Sequence, residues 1–430
     1  MVAIKADTQT LLDQPTENLL IKGLKSIPSE QDALQRLLYL PAVPVDISSI
    51  PLHVRLYRLM EVRDLHIPSP VERQLLQTVD LMVRSGYSYR DPRKASTWAS
   101  IGGEGELMGI RLPKATASAV EGLSGVGKTE ACLRSLHSLG PQVVRHESFP
   151  HLVGGLNQVV WLSVEVPASG RAIDLARALM LAWDEATGGN RFTTSLERAR
   201  NDGMRSLEEF RQVAKSGFLG VLHLDEIQNL FKARPLKERQ RRANVDRADL
   251  SIVEDQVLRW FLSLTNSGQI PILVSGTPDG IGALTKRFST AQRINTAGYF
   301  KFDRFTSSHE SQYRKFFLKS LERYQYVDKP IAVDDHLAEH LLALTAGVPR
   351  ILIALWIAAH RISFERRRGV DLTLQDFETA SHTLLAPLAP AIEAIQEGNP
   401  TKMNRYEDLI TDDTSFWSEF WSTAQPNVCS

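Results

Sequence analysis

The stretch Ala115-Thr-Ala-Ser-Ala-Val-Glu-Gly122-Leu123-Ser124-Gly125-Val126-Gly127-Lys128-Thr129-Glu130 decides the fold. Its first residues read as a strand. The next fit the pattern G-x-x-x-x-G-K-[ST] in full, and a helical pattern opens over 129–139. Glycines let the backbone wrap an anion with its N–H groups turned inward, and the positive end of the following helix strengthens the hold. In such a loop Lys128 bridges β- and γ-phosphates and the Thr129 hydroxyl holds Mg²⁺. Residues 122–130 are therefore the expected binding set, with ATP and Mg²⁺ as cofactors. The bland alternative, a glycine turn before a helix, does not need the lysine and threonine.

Working outward, Phe218-Leu-Gly-Val-Leu-His-Leu-Asp225-Glu226 is a buried-strand pattern ending in two acids. Open α/β sheets bind ligands at the C-terminal ends of their strands. Asp225 is thus placed to hold Mg²⁺ through water, and Glu226 to polarise the attacking water. A further strand, 270–274, runs into Ser275-Gly-Thr277-Pro-Asp, where Ser275 or Thr277 could set a hydroxyl between water and γ-phosphate; the same residues make a good turn. Gly347-Val-Pro349-Arg350 opens an apolar helix, from which Arg350 could reach the γ-phosphate. His223, on its buried strand, reads as a satisfied core residue, and the histidines show no metal-ligand spacing.

The chain has 430 residues, with 50 Lys plus Arg cancelling 50 Asp plus Glu, so net charge names no nucleic-acid or membrane partner. Two cysteines exclude a disulfide scaffold and a Cys-rich zinc site. No apolar run nears the ~20 residues of a membrane span, and the N-terminal residues lack the apolar segment of a secretory signal. A cytoplasmic protein is expected. Residues 1–95 read as helices broken by prolines, with 96–109 as a linker. Short apolar runs (115–121, 158–164, 219–224, 270–275, 299–303) then alternate with helical stretches (129–139, 172–185, 195–215, 251–266, 281–288). That alternation predicts an α/β fold, a parallel sheet flanked by helices. The expected organisation is a helical region over 1–95, an ATPase core over 96–305, a helical lid over 306–390 and a polar tail over 391–430.

These pieces, in this order, resemble the AAA+ ATPases, and more closely the TnsC/TniB transposition regulators. The likeness spans about residues 80–360. It rests on 122–130, Pro141-Gln-Val-Val-Arg-His146, Asn157-Gln-Val-Val-Trp-Leu-Ser-Val-Glu-Val-Pro167, Leu224-Asp-Glu-Ile-Gln228 and, upstream, Val83-Arg-Ser-Gly-Tyr-Ser-Tyr-Arg-Asp-Pro92. Val166 stands where the family's cysteine is expected. The resemblance implies an AAA+ P-loop core with a helical lid. It also implies an ATP-dependent switch that assembles on double-stranded DNA as a homo-oligomeric ring, spiral or filament. Such a switch links a target selector of TniQ or TnsD type, sometimes CRISPR-guided, to transposase subunits of TnsA/TnsB type. It further implies an arginine supplied by a neighbouring subunit, for which Arg287 is favoured over Arg293.

Two other readings compete. A helicase is disfavoured because the arginine-rich segment 240–247 precedes Ser275 instead of following it. The other is an AAA+ loader or nucleotide-switched scaffold of the STAND or initiator type. Residues 232–247 carry seven basic side chains, a solvated loop or a DNA-phosphate contact through Arg239, Arg241 and Arg242. Arg198, Arg200 and Arg205 offer a second candidate surface. Arg361 and residues 366–368 end a lid helix and are read as structural. In the tail, Phe416, Trp417, Phe420 and Trp421 share one face of a short helix, suited to docking on the core or to capture by a transposase subunit.

Overall fold

The computed structural model describes residues 18–104, 109, 113–197, 202–231, 252–267, 269–285, 293, 295–366 and 370–398. Arg198, Arg200, Arg239, Arg241, Arg242, Arg287 and the tail aromatics lie outside them. The chain divides into two units. One comprises Met1–Arg36, Pro70–Glu121 and Thr129–Lys301; the other comprises Leu37–Ser69, Gly122–Lys128 and Phe302–Ser430. The stretch expected as one N-terminal helical region is thus shared between them.

The first unit is built on a five-stranded sheet of order β4-β5-β6-β1-β7. Its strands are β1 (Ala117–Gly122), β4 (Trp161–Glu165), β5 (Val221–Asp225), β6 (Ile272–Gly276) and β7 (Gly298–Phe302). β4 pairs with β5, β5 with β6 and β6 with β1, all in parallel. Their C-terminal ends therefore lie along one edge, and the phosphate loop, Asp225 and Ser275 all occur at such ends. Helices Ala172–Thr187 and Gly203–Ser216 bury Leu175, Leu179, Leu207 and Phe210 in the same core as Leu222 and Leu224 of β5. Trp183 meets Phe210 edge-on, and the Trp260 indole N–H donates to the Leu207 carbonyl at 3.0 Å.

Four expectations are corrected. The apolar run 158–164 is two strands in two sheets, β3 (Leu156–Val159) and β4. Between them the Val160 N–H is taken by the Gln142 carbonyl at 2.8 Å. β3 forms an antiparallel hairpin with β2 (Val143–His146), a strand whose partly polar pattern hid it. Residues 96–101 of the expected linker belong to the helix Ala95–Ile101, held because Thr97 Oγ1 donates to the Asp91 carbonyl and the Trp98 indole to the Pro92 carbonyl, each at 2.7 Å. The stretch 195–215 contains two helices, Thr193–Glu197 and Gly203–Ser216, the second begun by an Asp202 cap on Met204 N–H. Pro390 does not end the helical region: it sits in the first turn of Ala389–Glu397, where a proline costs no hydrogen bond, and Gly398 closes that helix at φ 63°.

The N-terminal segments of this unit are woven into it. Asn18 donates to the Tyr87 carbonyl at 2.7 Å, and the Gln158 carboxamide to the Leu20 carbonyl at 3.0 Å. Arg36 reaches the Ser138 carbonyl. The Tyr87 hydroxyl reaches the Phe218 carbonyl and the Arg90 guanidinium the Leu219 carbonyl. Burial pushes Tyr87 up to about 12 and pulls Arg90 below its usual range. At Gly220 a Cβ would stand 2.6 Å from the Tyr87 hydroxyl, so this approach needs a glycine.

In the second unit, helices Asp335–Thr345, Pro349–Glu365 and Leu374–His382 pack round Trp356, which is fully buried. The Trp356 indole donates to the Tyr324 carbonyl at 2.9 Å, and the Tyr324 hydroxyl to the Pro41 carbonyl at 2.7 Å. The helix expected over 310–326 is instead a π-helix, Gln312–Leu318, followed by one α-turn, Lys319–Leu321. Arg361 pairs with Glu365, and Arg366 with Asp371 and Asp376, in keeping with structural roles. No single helix among the described residues is long and apolar enough to cross a membrane. Trp356→Ala should destabilise this unit by about 3–5 kcal/mol, seen as a large fall in its denaturant midpoint.

Candidate active site

The phosphate loop gets its shape from its glycines. Gly125 and Gly127 have φ of 80° and 98°, which side chains strongly resist, and a Cβ on Gly127 would meet nothing within 4 Å, leaving room beside the backbone. At Gly122 a Cβ would lie 2.5 Å from the Phe302 carbonyl, so the chain leaves its strand against bare backbone. The Lys128 ammonium, 5% exposed, donates to the Leu123 carbonyl at 2.8 Å. Ser124 and Val126 are buried, and Leu123 packs on the core of the second unit.

The helix Pro349–Glu365 starts on this loop. Its N-cap, Val348, offers no side-chain cap, and the Arg350 N–H donates to the Gly125 carbonyl at 3.2 Å. Gly347 sets that start: its φ is 69°, its carbonyl accepts from Phe305 N–H, and a Cβ would fall 2.0 Å from the Phe305 carbonyl. The helix therefore presents its positive end and Arg350 to the loop, on an element sequence alone had marked.

Thr129, the next residue after Lys128, belongs to a second group of side chains. Its hydroxyl donates to Asp225 Oδ2 at 2.6 Å. The Ser275 hydroxyl donates to Asp225 Oδ1, so both carboxylate oxygens are engaged. His223 Nε2 lies 2.8 Å from Ser275 Oγ, and His223 Nδ1 lies 2.8 Å from Ser163 Oγ. Burial holds the His223 imidazole below its ordinary pKa, against the pull of Asp225. Glu130 pairs with Arg134 one helical turn on, at 2.6 Å.

Glu226 follows the strand end at φ 52°, a left-handed conformation that costs a non-glycine residue about 1 kcal/mol or more. Its carboxylate accepts from the Gln228 carboxamide, whose oxygen in turn accepts from Thr277 N–H at 3.2 Å. Gly280 lets Gln228 in, since a Cβ there would lie 2.6 Å from the Gln228 Cβ. The Thr277 hydroxyl is committed to Asp279 at 2.8 Å. Of the two candidates, Ser275 near the end of β6 is thus the one that touches Asp225. Arg293 and Arg205 are exposed. Sequence reasoning missed Ser163 and Gln228 and left His223 in the core; the one available signal was parity, because His223 and Asp225, two apart on a strand, share a face.

Residues 113–284 match the family model of the AAA domain. The parallel sheet, the loop after β1 and the acids after β5 are those of an AAA+ P-loop NTPase fold. The AAA domain match takes in the loop, Thr129, His223, Asp225, Glu226 and Ser275 and stops before Arg293 and Arg350. No curated protein matches the chain. Among solved structures it is similar to the Orc1 protein of Aeropyrum pernix in complex with DNA, at 15% identity over 77% of this chain and 80% of that one, with a TM-score of 0.41.

The donor set fits Mg²⁺ and a nucleotide. A hydroxyl and a carboxylate are hard oxygen donors of the kind Mg²⁺ takes beside water and phosphate oxygens. The glycine-shaped loop is the concavity an anion needs. Gly347→Ala should cost about 2 kcal/mol or more through its left-handed φ and the Phe305 clash, and should weaken ATP binding in a titration by displacing the Arg350 contact.

Proposed function

We propose that this chain is an ATP-hydrolysing AAA+ switch that binds double-stranded DNA as a homo-oligomer. In that reading it links a target selector of TniQ or TnsD type to TnsA/TnsB-type transposase subunits. The observation that carries the ATPase part is the 2.6 Å bond from Thr129 to Asp225, joining the residue after the loop lysine to the acid at the end of β5. The transposition part is supported by the sequence blocks 141–146 and 157–167. An AAA+ loader or scaffold without a transposition role is the second reading, favoured by the AAA domain match, which is not specific to transposition.

In the proposed mechanism the loop N–H groups and Lys128 bind and orient the phosphates. Thr129 and, through water, Asp225 would hold Mg²⁺, which would supply charge neutralisation to the phosphates. Glu226 orients the attacking water and takes its proton, and Gln228 sets the position of Glu226 until it does so. Arg350 adds positive charge from the helix start. Arg287, or Arg293, is the proposed intersubunit arginine.

Lys128→Ala should abolish ATP binding in equilibrium titration. Glu226→Gln should keep binding while phosphate release falls by about 10²-fold or more; normal turnover in that variant removes Glu226 from its role. DNA affinity should show little sequence preference and fall steeply with salt, and the slope should shrink when Arg239, Arg241 and Arg242 are neutralised together. An unchanged slope moves the contact to Arg198, Arg200 and Arg205. Deleting residues 410–430 should spare ATPase activity yet lose transposase subunits in a pull-down; retained recruitment with a lowered melting temperature assigns the tail aromatics to the core.

A further inference from the structure

Ser163, His223, Asp225 and Ser275 form one file across three strands. Ser163 stands opposite His223 in the β4–β5 register, and Ser275 lies two residues beyond Leu273, the β6 partner of His223. Every proton in the file can be assigned. The Ser275 hydroxyl has a single proton, and it is donated to Asp225 Oδ1. Ser275 Oγ must then accept from His223, which puts a proton on Nε2. In the neutral ring Nδ1 is left as an acceptor, and Ser163 supplies its proton. With Thr129 on the other oxygen, the carboxylate is gripped from both sides and its plane is fixed.

We propose that His223 is a positioning residue for the Mg²⁺-holding carboxylate. Its Nε2–H compels Ser275 to donate to Asp225, and Ser163 fixes the tautomer that makes this possible. The inference rests on the ATP site proposed above. His223 and Ser275 are fully buried, and without the ring N–H the Ser275 hydroxyl is free to rotate away. Partners of this kind, acting through a group that holds the metal or its water, typically set metal affinity without touching the metal.

The test compares full-length wild type with His223→Gln, which keeps a donor toward Ser275, and His223→Leu, which fills similar space without one. ATP binding is titrated in chelator and then across Mg²⁺ concentrations. In His223→Leu the Mg²⁺ needed for half-maximal tightening should rise about 10-fold or more, while the glutamine variant stays within about threefold of wild type. Binding in chelator should be the same in all three. A leucine variant with wild-type Mg²⁺ dependence, or a glutamine variant no better than leucine, overturns the proposal and leaves the ATP site standing. A wild type that binds no ATP overturns both. Should His223→Leu fail to fold, ¹⁵N spectra of histidine-labelled wild type decide the matter. The signals missing from His223→Gln should report a protonated Nε2 and a bare Nδ1, and the opposite tautomer overturns the proposal.

Discussion

A carboxylate buried at the end of a strand needs hydrogen-bond donors around it, and at Asp225 they arrive from two directions. Thr129 comes from the helix that begins at the phosphate loop, and Ser275 from the neighbouring strand. That requirement fixes much else. The β5–β6 register has to be the one observed, since a shift by one residue would turn Ser275 to the other face of the sheet. The helix Lys128–Ser138 has to start where it does, because Thr129 at its second position is the residue that reaches the acid. The strands carrying these groups are buried throughout, so the apolar packing against Ala172–Thr187 and Gly203–Ser216 holds the polar file in place.

What the sequence disclosed, and what it withheld, follows from how local each feature is. The loop and the two acids were legible because phosphate and Mg²⁺ chemistry dictates residue types at short spacing. The alternation of strands and helices was legible for the same local reason. The break at Val160 was not, because Val159, Val160, Trp161 and Leu162 run on without a glycine, proline or polar residue; the break comes from a partner, Gln142, that sequence does not place beside it. The file from Ser163 to Ser275 depends on strand order, which no single segment contains. The π-helix Gln312–Leu318 likewise has the same periodic apolar pattern an α-helix would show.

The start of the helix Pro349–Glu365 illustrates a different economy. Ala346 and Gly347 both take left-handed φ, one after the other, and only the second is a glycine. The turn is held by Phe305, whose N–H and carbonyl both face Gly347, and by two side chains: Arg304 donates to the Ala346 carbonyl at 2.9 Å and the Thr345 hydroxyl accepts from Gly347 N–H at 3.2 Å. A rigid turn is what a helix needs if its first N–H groups are to keep a fixed address on a loop.

The weave of residues 18–36 and 70–101 through the first unit has a bearing on what counts as a module here. The family match begins at residue 113, yet the carbonyls of Ser138, Phe218 and Leu219 inside it are answered by Arg36, Tyr87 and Arg90 outside it. Gln158, wholly buried, spends its carboxamide hydrogen on Leu20. A fragment cut at the edges of the match would keep β1, β4, β5 and β6 but lose β7, and would carry a flank of stranded carbonyls. The body built on this sheet is therefore discontinuous in sequence, and its side is closed only by residues that lie upstream of the match.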